Sequence, residues 1–236
     1  MLTKNIDFID FKVKSKKIKI VRDLSLLLKQ NIEIINSLKP NYKYRYKKKL
    51  ISRLKKFSKI RIIGIGGSIL GAEAIYSFLK NKINKKFIFI NNLQSSNRIN
   101  KIDKKKILNI IISKSGNTLE TIANANIFID KNQKNIFLTE KKNNYIKNLA
   151  EKLKDEIIEH NNFIGGRYSV LSEVGMLPAE IMGLNEKKFK QLNNLIKNKN
   201  FINSLTTNIS QIISLRKNKK FNSIILNYDT NSENLF

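Results

Sequence analysis

Residues 59–80 read KIRIIGIGGSILGAEAIYSFLK, and this stretch decides the fold class of the chain. Its apolar run, Ile60–Ile65, predicts a buried strand, and a glycine-rich turn, Gly64–Gly71, overlaps the end of that run. The next part, Ser68–Lys80, has the residue spacing of a helix. A strand, a glycine turn and a helix in this order are the beginning of a βαβ unit.

The same alternation continues along the chain. Three more apolar runs follow, and they are Phe87–Ile90, Ile107–Ile112 and Ile136–Thr139. Helix-like segments come after the last two runs, at Thr118–Ile129 and Tyr145–Leu153. Strands that alternate with helices build a parallel sheet with helices on both of its faces. The sequence therefore predicts an α/β fold, a three-layer sandwich with a parallel sheet.

The segments that flank this region are mainly helical in character. In the basic segment 1–55, apolar residues fall at helical spacing over Leu24–Leu38, until Pro40 ends the pattern. Residues 186–217 return to helical spacing, and Phe221–Leu226 then has the pattern of one more strand. We therefore predict a helical lead-in, an α/β domain, and a helical connection that leads into the first strand of a second, truncated subdomain, at residues 1–55, 56–185 and 186–236.

The composition excludes several classes of protein. The 236 residues are 41% apolar, too many for a wholly disordered chain, and the absence of Cys excludes disulfide scaffolds, thiol catalysis and Cys-ligated zinc. Charged residues such as Lys4 and Asp7 interrupt the first segment, so it has no signal-peptide core. The least polar stretch, residues 60–79, is too polar to span a membrane. We expect a soluble cytoplasmic protein with no membrane partner.

The formal charge of +28 has two interpretations. Such an excess would ordinarily indicate binding to nucleic acid or to an anionic surface. However, it consists almost entirely of Lys, with only seven Arg, and Lys, Ile and Asn together make up close to half of the chain. An AT-rich coding bias produces that composition. We therefore favour a solvated Lys-rich surface and predict no nucleic-acid partner.

The first motif that could carry chemistry is the glycine turn after the first strand. A dinucleotide fingerprint would need a third Gly where Ile69 stands and an acid where Asn91 and Asn92 stand, so NAD binding is not expected. A P-loop is excluded because no Gly-Lys-Ser/Thr follows. Two interpretations remain open: Gly67 and Ser68 approach an anionic ligand at a helix N-terminus, or Ser68 is simply the N-cap of a tight turn.

The second motif is Ser113–Thr118, with the sequence SKSGNT, again between a strand and a helix. Hydroxyl groups at three positions, a Gly and a Lys offer donors and a point charge around a small space. A phosphate monoester has three acceptor oxygens and a charge of about −2, so this loop suits it. Helix capping would explain only one of these residues. Glu120, in the first helical turn, compensates the helix dipole or contacts a sugar hydroxyl.

The third motif is residues 162–172, NFIGGRYSVLS. A Gly pair followed by Arg167, in a chain that otherwise uses Lys, indicates a positioned guanidinium. The alternative is an ion pair of Arg167 with Glu159 or Glu173. Nearby His160 lacks the neighbours of a metal ligand or a catalytic base, and we interpret it as a loop histidine. No metal-ligand pattern is present in the sequence.

Together, GIGGSILG, SKSGNTLET and GGRYSVLSEVGMLP, in this order, resemble the glucose-6-phosphate isomerase (phosphoglucose isomerase) family. The resemblance covers about residues 60–180. It implies a fold of two sugar-isomerase (SIS) subdomains, of which the first is the one seen here. It also implies reversible conversion of glucose 6-phosphate to fructose 6-phosphate, without a metal or other cofactor, in glycolysis and gluconeogenesis, by a protein that is a homodimer in its full-length form.

The resemblance also implies roles for individual residues. Arg167 is the catalytic residue among them, beside the reacting carbons of the sugar. The implied substrate-binding residues are Gly67, Ser68, Ser113, Lys114, Ser115, Thr118 and Gly166. Of these, Ser113, Lys114, Ser115 and Thr118 form the phosphate loop. Glu173 departs from the family pattern, which usually has a small residue at this position.

The last part of the sequence lacks the general base that the resemblance implies. In the family this base is a Glu in a QL-x-x-ES-x-GK-like segment, which follows the region resembled here by Phe221–Tyr228. Glu233 lies in this part of the chain but does not fit that motif. We therefore expect the amino-terminal half of an isomerase, inactive by itself. The alternative is a non-catalytic sugar-phosphate-binding SIS module, which would have no use for Arg167.

Overall fold

The computed structural model of the chain describes residues 17–93, 107–218, 222 and 224–235. It divides into two compact units. The smaller unit combines Met1–Asn41 with Lys187–Leu226, and the larger one combines Tyr42–Glu186 with Asn227–Phe236. The predicted division at residues 55 and 185 stays a prediction.

The described residues form helices and parallel strands. The helices are α1 (Lys17–Lys29), α2 (Glu33–Leu38), α3 (Lys48–Leu54), α4 (Leu70–Phe78), α5 (Leu119–Phe128), α6 (Tyr145–Leu153), α7 (Glu173–Ile181) and α8 (Lys199–Lys217). The strands are β1 (Lys59–Ile63), β2 (Lys86–Ile90), β3 (Ile107–Ile112), β4 (Lys134–Thr139) and β5 (Glu156–Glu159). Short 3-10 segments lie at Gly66–Ser68, Lys80–Lys82, Gly166–Tyr168, Glu186–Lys197 and Thr230–Leu235.

The smaller unit is helical, as the spacing of its apolar residues predicts. Helix α1 packs against α8, and α2 ends at Leu38, two residues before Pro40. Lys39 is extended, with ψ of 148°, because the proline ring disfavours helical backbone in the residue that precedes it. None of the described helices of the chain is long and apolar enough to cross a membrane.

The larger unit contains the sheet, whose strand order is β2-β1-β3-β4-β5 with parallel pairing throughout. This confirms the predicted α/β fold. Every residue of β3 is buried, as expected of a central strand that is covered on both faces. The order reverses between β1 and β3, and right-handed crossovers therefore place α4 on one face of the sheet and α5 and α6 on the other. Ligands of open α/β sheets bind at such a reversal, beyond the carboxyl ends of the strands.

A buried polar row crosses the middle of this sheet. Arg61, Asn109 and Asn135 stand in register on β1, β3 and β4, and Asn109 Nδ2 donates to Asn135 Oδ1 at 2.8 Å. Arg61 Nη1 donates to Asn109 Oδ1 at 3.1 Å and to the carbonyl of Phe128 at 2.9 Å. Phe128 is the last residue of α5, so the buried guanidinium caps the negative end of that helix.

Two elements of the larger unit were not predicted. Strand β5 is only four residues long and has two apolar residues between acids, too few for a recognisable alternation. Helix α7 is buried at all nine positions and contains Gly175 and Pro178, so its sequence has no polar face and looks interrupted.

The strand predicted at Phe221–Leu226 is not observed at Asn222 or at Ile224–Leu226; the other two residues of the prediction lie outside the described part of the chain. Ile224 and Leu226 are 83% and 71% exposed. A strand needs a neighbour for its backbone N–H and C=O groups, and none of the described strands pairs with this segment.

Candidate functional site

Three loops carry all of the predicted site residues, and each follows the carboxyl end of a strand. We call them the glycine turn (Gly64–Ile69, after β1), the hydroxyl loop (Ser113–Thr118, after β3) and the arginine loop (His160–Ser172, after β5). The glycine turn and the hydroxyl loop begin side by side, since Ile63 of β1 pairs with Ile111 of β3. They stand at the reversal of strand order, where a ligand crevice is expected.

The glycine turn keeps its backbone close to the neighbouring strand. A Cβ atom on Gly64 would lie 2.9 Å from the carbonyl oxygen of Ile112, so a larger residue has no room there. Helix α4 begins at Leu70, with Ile69 as its N-cap residue. Ser68 therefore does not cap this helix, and the interpretation of Ser68 as an N-cap is wrong. Its hydroxyl makes no hydrogen bond within the described part of the chain.

The glycine turn and the arginine loop touch through their backbones. A Cβ atom on Gly67 would overlap the carbonyl group of Gly166 and lie 2.6 Å from its Cα atom. The buried hydroxyl of Ser169 holds the contact, because it donates to the carbonyl oxygens of both Gly67 (3.0 Å) and Gly166 (2.7 Å). Two predicted site segments that are almost a hundred positions apart in sequence thus form one surface.

The hydroxyl loop turns its hydroxyls toward one another. Ser113 Oγ donates to Thr118 Oγ1 at 3.3 Å, and Ser115 Oγ lies 3.4 Å from the same oxygen. The backbone N–H of Gly116 donates to Ser113 Oγ at 3.1 Å. Thr118 is the N-cap residue of α5, but its side chain makes no capping hydrogen bond. That side chain therefore does not cap the N–H groups in the first turn of α5, and these groups are still available as donors. This arrangement suits an anion with several oxygens.

Lys114 adds a positive charge to the hydroxyl loop. Its ammonium lies 3.8 Å from Glu140 Oε1, and both side chains are partly buried. The Lys114 carbonyl accepts from the N–H of Glu140 at 3.1 Å, so the backbone is fixed although the long side chain keeps its freedom. Glu120 is partly exposed at the same helix end, and its two predicted roles stay predictions.

The guanidinium of Arg167 is exposed, and within the described residues it has no hydrogen-bond or ion-pair partner. The two acids that could have paired with it are engaged elsewhere. Glu159 pairs with Arg45 and Lys141, and Glu173 accepts from the Tyr42 hydroxyl at 3.1 Å. The ion-pair interpretation of Arg167 is therefore wrong. A cleft of about 570 Å³ opens beside Arg167, with Gly67, Val170 and Glu233 in its walls.

The two ends of the arginine loop are held by one residue. Arg45 donates from its guanidinium to Glu159, the last residue of β5, and from its backbone N–H to Glu173, the first residue of α7, at 3.0 Å. Burial raises the pKa of the Glu173 carboxyl, although the hydrogen bonds from Arg45 and Tyr42 oppose this shift. The acid that departs from the family pattern thus fastens α7 to the segment that begins at Tyr42.

His160 lies at the start of the arginine loop and is buried, with 2% of its surface exposed. Burial lowers the pKa of its imidazole, and nearby Lys114 lowers it further. Its Nδ1 atom lies 3.0 Å from the carbonyl oxygen of Asn161. The ring is therefore held neutral, with little access for a ligand.

The chain that carries these loops is similar to known proteins. A model of the phosphoglucose isomerase family matches residues 49–232, which include all three loops. The chain belongs to the phosphoglucose isomerase family.

Curated relatives of this family share substantial identity with the chain. A glucose-6-phosphate isomerase of Borreliella afzelii is 41% identical over 139 residues, and one of Acholeplasma laidlawii is 35% identical over 159 residues. The matched segments cover 52% and 59% of this chain but only 26% and 37% of those proteins. The chain therefore matches between about a quarter and two fifths of the length of these family members.

Solved structures agree on the fold. A hypothetical protein of Thermus thermophilus superposes with a TM-score of 0.66 at 20% identity, over 86% of this chain and 53% of that one. A glucose-6-phosphate isomerase of Chlamydia trachomatis superposes with a TM-score of 0.57 at 20% identity, over 80% of this chain and 45% of that one. This chain thus shares its α/β fold with about half of each of these two structures.

The eight predicted site residues lie in the three loops of this family member, but direct contact joins only some of them. Gly67 meets Gly166, and Ser113, Ser115 and Thr118 meet one another. Their roles toward a ligand stay predictions. Within the described residues, no cluster of three or more His, Asp or Glu side chains could hold a metal ion.

The sequence reasoning missed the residues that hold these loops. Ser169 joins two loops, Arg45 ties the ends of the third, and Asn144 supports the hydroxyl loop. Asn144 had a sequence signal, because it precedes the apolar pattern of α6 as an N-cap residue does. Ser169 and Arg45 had none, since their partners are remote in sequence.

Proposed function

We propose that this chain binds a sugar phosphate in the hydroxyl loop and serves the interconversion of glucose 6-phosphate and fructose 6-phosphate. One observation supports this above the others. The hydroxyls of Ser113, Ser115 and Thr118 converge at the uncapped N-terminus of α5, at the reversal of strand order. A phosphate monoester matches that set of donors in both charge and number of oxygens.

The reaction moves a proton between C2 and C1 of the open-chain sugar through an enediolate. The developing oxyanion needs a cation that stays charged at any working pH, and a guanidinium meets this need. Arg167 is exposed and uncommitted within the described residues, so its charge is available to a ligand. In our proposal it stabilises the enediolate oxygen.

The remaining predicted residues bind and orient the substrate. Gly67 and Gly166 bring two backbones together without side chains, which allows close approach of the sugar. Ser68 offers a hydroxyl with no partner in the described part of the chain. The phosphate group, held by the hydroxyl loop and Lys114, supplies binding energy that orients the reacting carbons.

The general base is the part of the mechanism that the described loops do not supply. Glu140 faces Lys114, Glu159 is paired with Arg45, and Glu173 is buried beneath Tyr42. Glu233 lies in the wall of the cleft beside Arg167, but it belongs to none of the three loops and does not fit the base motif that the resemblance implies. This observation favours the second candidate function, a sugar-phosphate-binding module without turnover. Arg167 favours the first, because binding a phosphate does not require a free guanidinium beside the sugar. General acid–base catalysis contributes about 10²–10⁴-fold, so we expect little turnover from this chain alone.

The phosphate assignment is tested by replacing Ser113, Ser115 and Thr118 together with Ala. We expect the triple variant to bind 6-phosphogluconate at least about tenfold more weakly, as measured by calorimetric titration, since a hydrogen bond to a charged group contributes a net of about 1.5–3 kcal/mol. The control variant replaces Ser52, Thr207 and Ser214, which lie on α3 and α8 and belong to none of the three loops. Unchanged affinity in the first variant would contradict the assignment.

The catalytic assignment is tested with the purified 236-residue chain and glucose 6-phosphate, with and without a separately supplied carboxyl-terminal half of a family member. We expect fructose 6-phosphate to form at an appreciable rate only with the second half present. Full turnover by the chain alone would show that it contains its own base. Binding without turnover in either mixture would favour the module. A role in glycolysis and gluconeogenesis, a cytoplasmic location and a full-length homodimer belong to this proposal.

A further inference from the structure

Asn144 lies in the turn between β4 and α6, against the back of the hydroxyl loop. It is buried, and both ends of its carboxamide are used. Its Oδ1 atom accepts from the N–H of Lys147 at 2.9 Å and caps α6. Its Nδ2 group donates to the carbonyl oxygens of Lys142 at 2.9 Å and Glu140 at 3.4 Å. The side chain thus determines the shape of the whole turn.

Gly116 makes room for this side chain. Its φ of +66° lies in the left-handed region that favours glycine, and a Cβ atom here would overlap Asn144 Oδ1 and lie 2.8 Å from Asn144 Cβ. The carboxamide oxygen therefore rests directly on the backbone of the hydroxyl loop. A side chain at position 116 would therefore displace the carboxamide of Asn144.

The turn that Asn144 shapes donates its N–H groups to the hydroxyl loop. The Glu140 N–H donates to the Lys114 carbonyl and the Ile146 N–H to the Gly116 carbonyl, each at 3.1 Å. The Tyr145 N–H donates to Asn117 Oδ1 at 3.0 Å. Both carbonyls are therefore directed away from the space in front of the loop. An anion in that space meets hydroxyls and N–H groups instead of carbonyl oxygens.

We propose that Asn144 is a positioning residue of the phosphate site, which acts through Gly116 and the two carbonyls behind the hydroxyl loop. This inference rests on the proposed binding of phosphate by that loop. Helix capping alone does not require Asn, because Asp caps a helix N-terminus equally well. Asp at position 144 would lose the donor to the Lys142 carbonyl and would place a negative charge against the loop that attracts the anion.

The test compares the unmodified 236-residue chain with N144D and with N198D, and sulfate is the probe. Asn198 caps α8 as Asn144 caps α6, with its Oδ1 atom accepting from the N–H of Phe201 at 3.1 Å, so both variants make the same change at the same helix position. We expect N144D to bind sulfate at least about tenfold more weakly than the unmodified chain, because a like charge would lie directly behind the loop that holds the anion. N198D should bind as the unmodified chain does.

A pH series separates the electrostatic part of this role from general damage to the fold. Sulfate remains a dianion throughout, so the affinity ratio of N144D to the unmodified chain reports on the protein. The deficit of N144D should shrink below about pH 4, where the new carboxyl becomes protonated. A deficit that is the same at every pH would overturn the electrostatic part of the proposal.

A second variant covers the case in which N144D does not fold. N144S retains a capping oxygen but loses the Nδ2 donor, and we expect a folded variant of reduced stability with severalfold weaker sulfate binding. Unchanged sulfate affinity in the folded variants would overturn the role of Asn144. Failure of the unmodified chain to bind sulfate, or full binding by the triple hydroxyl variant, would instead overturn the proposed phosphate site and this inference with it.

Discussion

The hydroxyl loop and the arginine loop lie at the same edge of the sheet, but they are held in different ways. The hydroxyl loop is hydrogen-bonded internally and from behind, with neighbouring N–H groups donating to the carbonyls of Lys114 and Gly116. The arginine loop is tied at its two ends by Arg45 and in its middle by Ser169. Between these ties, the side chain of Arg167 is exposed and has no partner in the described part of the chain.

This difference matches the two kinds of group that the loops are proposed to meet. A phosphate keeps its charge and shape throughout the reaction, so a fixed set of donors serves it at every stage. An enediolate oxygen acquires charge only as the proton moves. A cation that is not neutralised by the protein is fully available to that charge. The following variants change the arginine loop or its contacts and leave the residues of the hydroxyl loop unaltered.

The largest effect is expected where the glycine turn meets the arginine loop. The Gly67→Val side chain would overlap the backbone of Gly166 and drive the two loops apart, at a cost to the free energy of unfolding of about 3 kcal/mol. Chemical denaturation measures this cost, and 6-phosphogluconate binding should be lost with it. Gly165→Ala is the control, because its Cβ would lie 3.9 Å from the Tyr168 ring. Equal free energies of unfolding for the two variants would contradict the close contact between Gly67 and Gly166.

The next effect separates function from stability. Arg167→Ala removes an exposed, unpaired side chain, so the free energy of unfolding should change by no more than about 0.5 kcal/mol. The isomerase activity that is recovered when the second half is added should nevertheless be abolished. Arg216→Ala, on the exposed side of α8, should leave both quantities unchanged. Retained activity in Arg167→Ala would exclude this guanidinium from the reaction.

A smaller effect is expected from the hydroxyl of Ser169, which joins the glycine turn to the arginine loop. Ser169→Ala leaves the carbonyls of Gly67 and Gly166 without their shared donor, which should cost about 1–3 kcal/mol in thermal or chemical unfolding. Ser210→Ala is a useful comparison, because this buried hydroxyl donates only to the Thr206 carbonyl within its own helix. If both variants lost the same stability, Ser169 would have no special part in joining the loops.

The smallest expected effect is a pH dependence at the end of the arginine loop. The pKa of Glu173 is raised above its ordinary value of 4.5, mainly by burial, so the folded chain retains this proton after the unfolded chain has lost it. The contribution of Glu173 to stability therefore falls as pH rises from about 4.5 through the raised pKa. Glu173→Gln cannot titrate. The free energy of unfolding of this variant, minus that of the unmodified chain, should therefore increase over that pH range and then level off.

Denaturation of both proteins between about pH 4 and pH 7 measures this difference. Glu180→Gln is the matched control, since this second buried acid of α7 accepts from Tyr46 and Lys48 and has no contact with the arginine loop. A difference for Glu173→Gln that falls as pH rises would show that the buried carboxylate is stabilised by its hydrogen bonds.

Local patterns in the sequence were sufficient for the α/β alternation and for the places of the glycine turn and the hydroxyl loop. Runs such as Ile107–Ile112 are apolar at every position but one because both faces of a parallel sheet are covered, and this property is visible without a structure. The glycine turn and the hydroxyl loop each follow such a run, so their place at the carboxyl edge of the sheet also follows from the sequence. The arginine loop follows β5, whose four residues have no recognisable alternation, so its place at this edge was not predicted. The same patterns missed α7, whose complete burial removes the periodicity that identifies a helix at a surface.

Contacts between remote segments were decided only by the tertiary structure. Three contacts each need a particular packing of strands and loops. They are the close approach of Gly67 to Gly166, the hydrogen bonds from Ser169 to both of these residues, and the contact of Asn144 with Gly116. Ser68 has the sequence of an N-cap, yet the helix begins at Leu70, because the preceding turn continues as a 3-10 segment. Sequence determines which residue types are available at an edge of the sheet, because local periodicity is encoded locally. Which of them touch depends on strand order, and strand order is set by long-range burial.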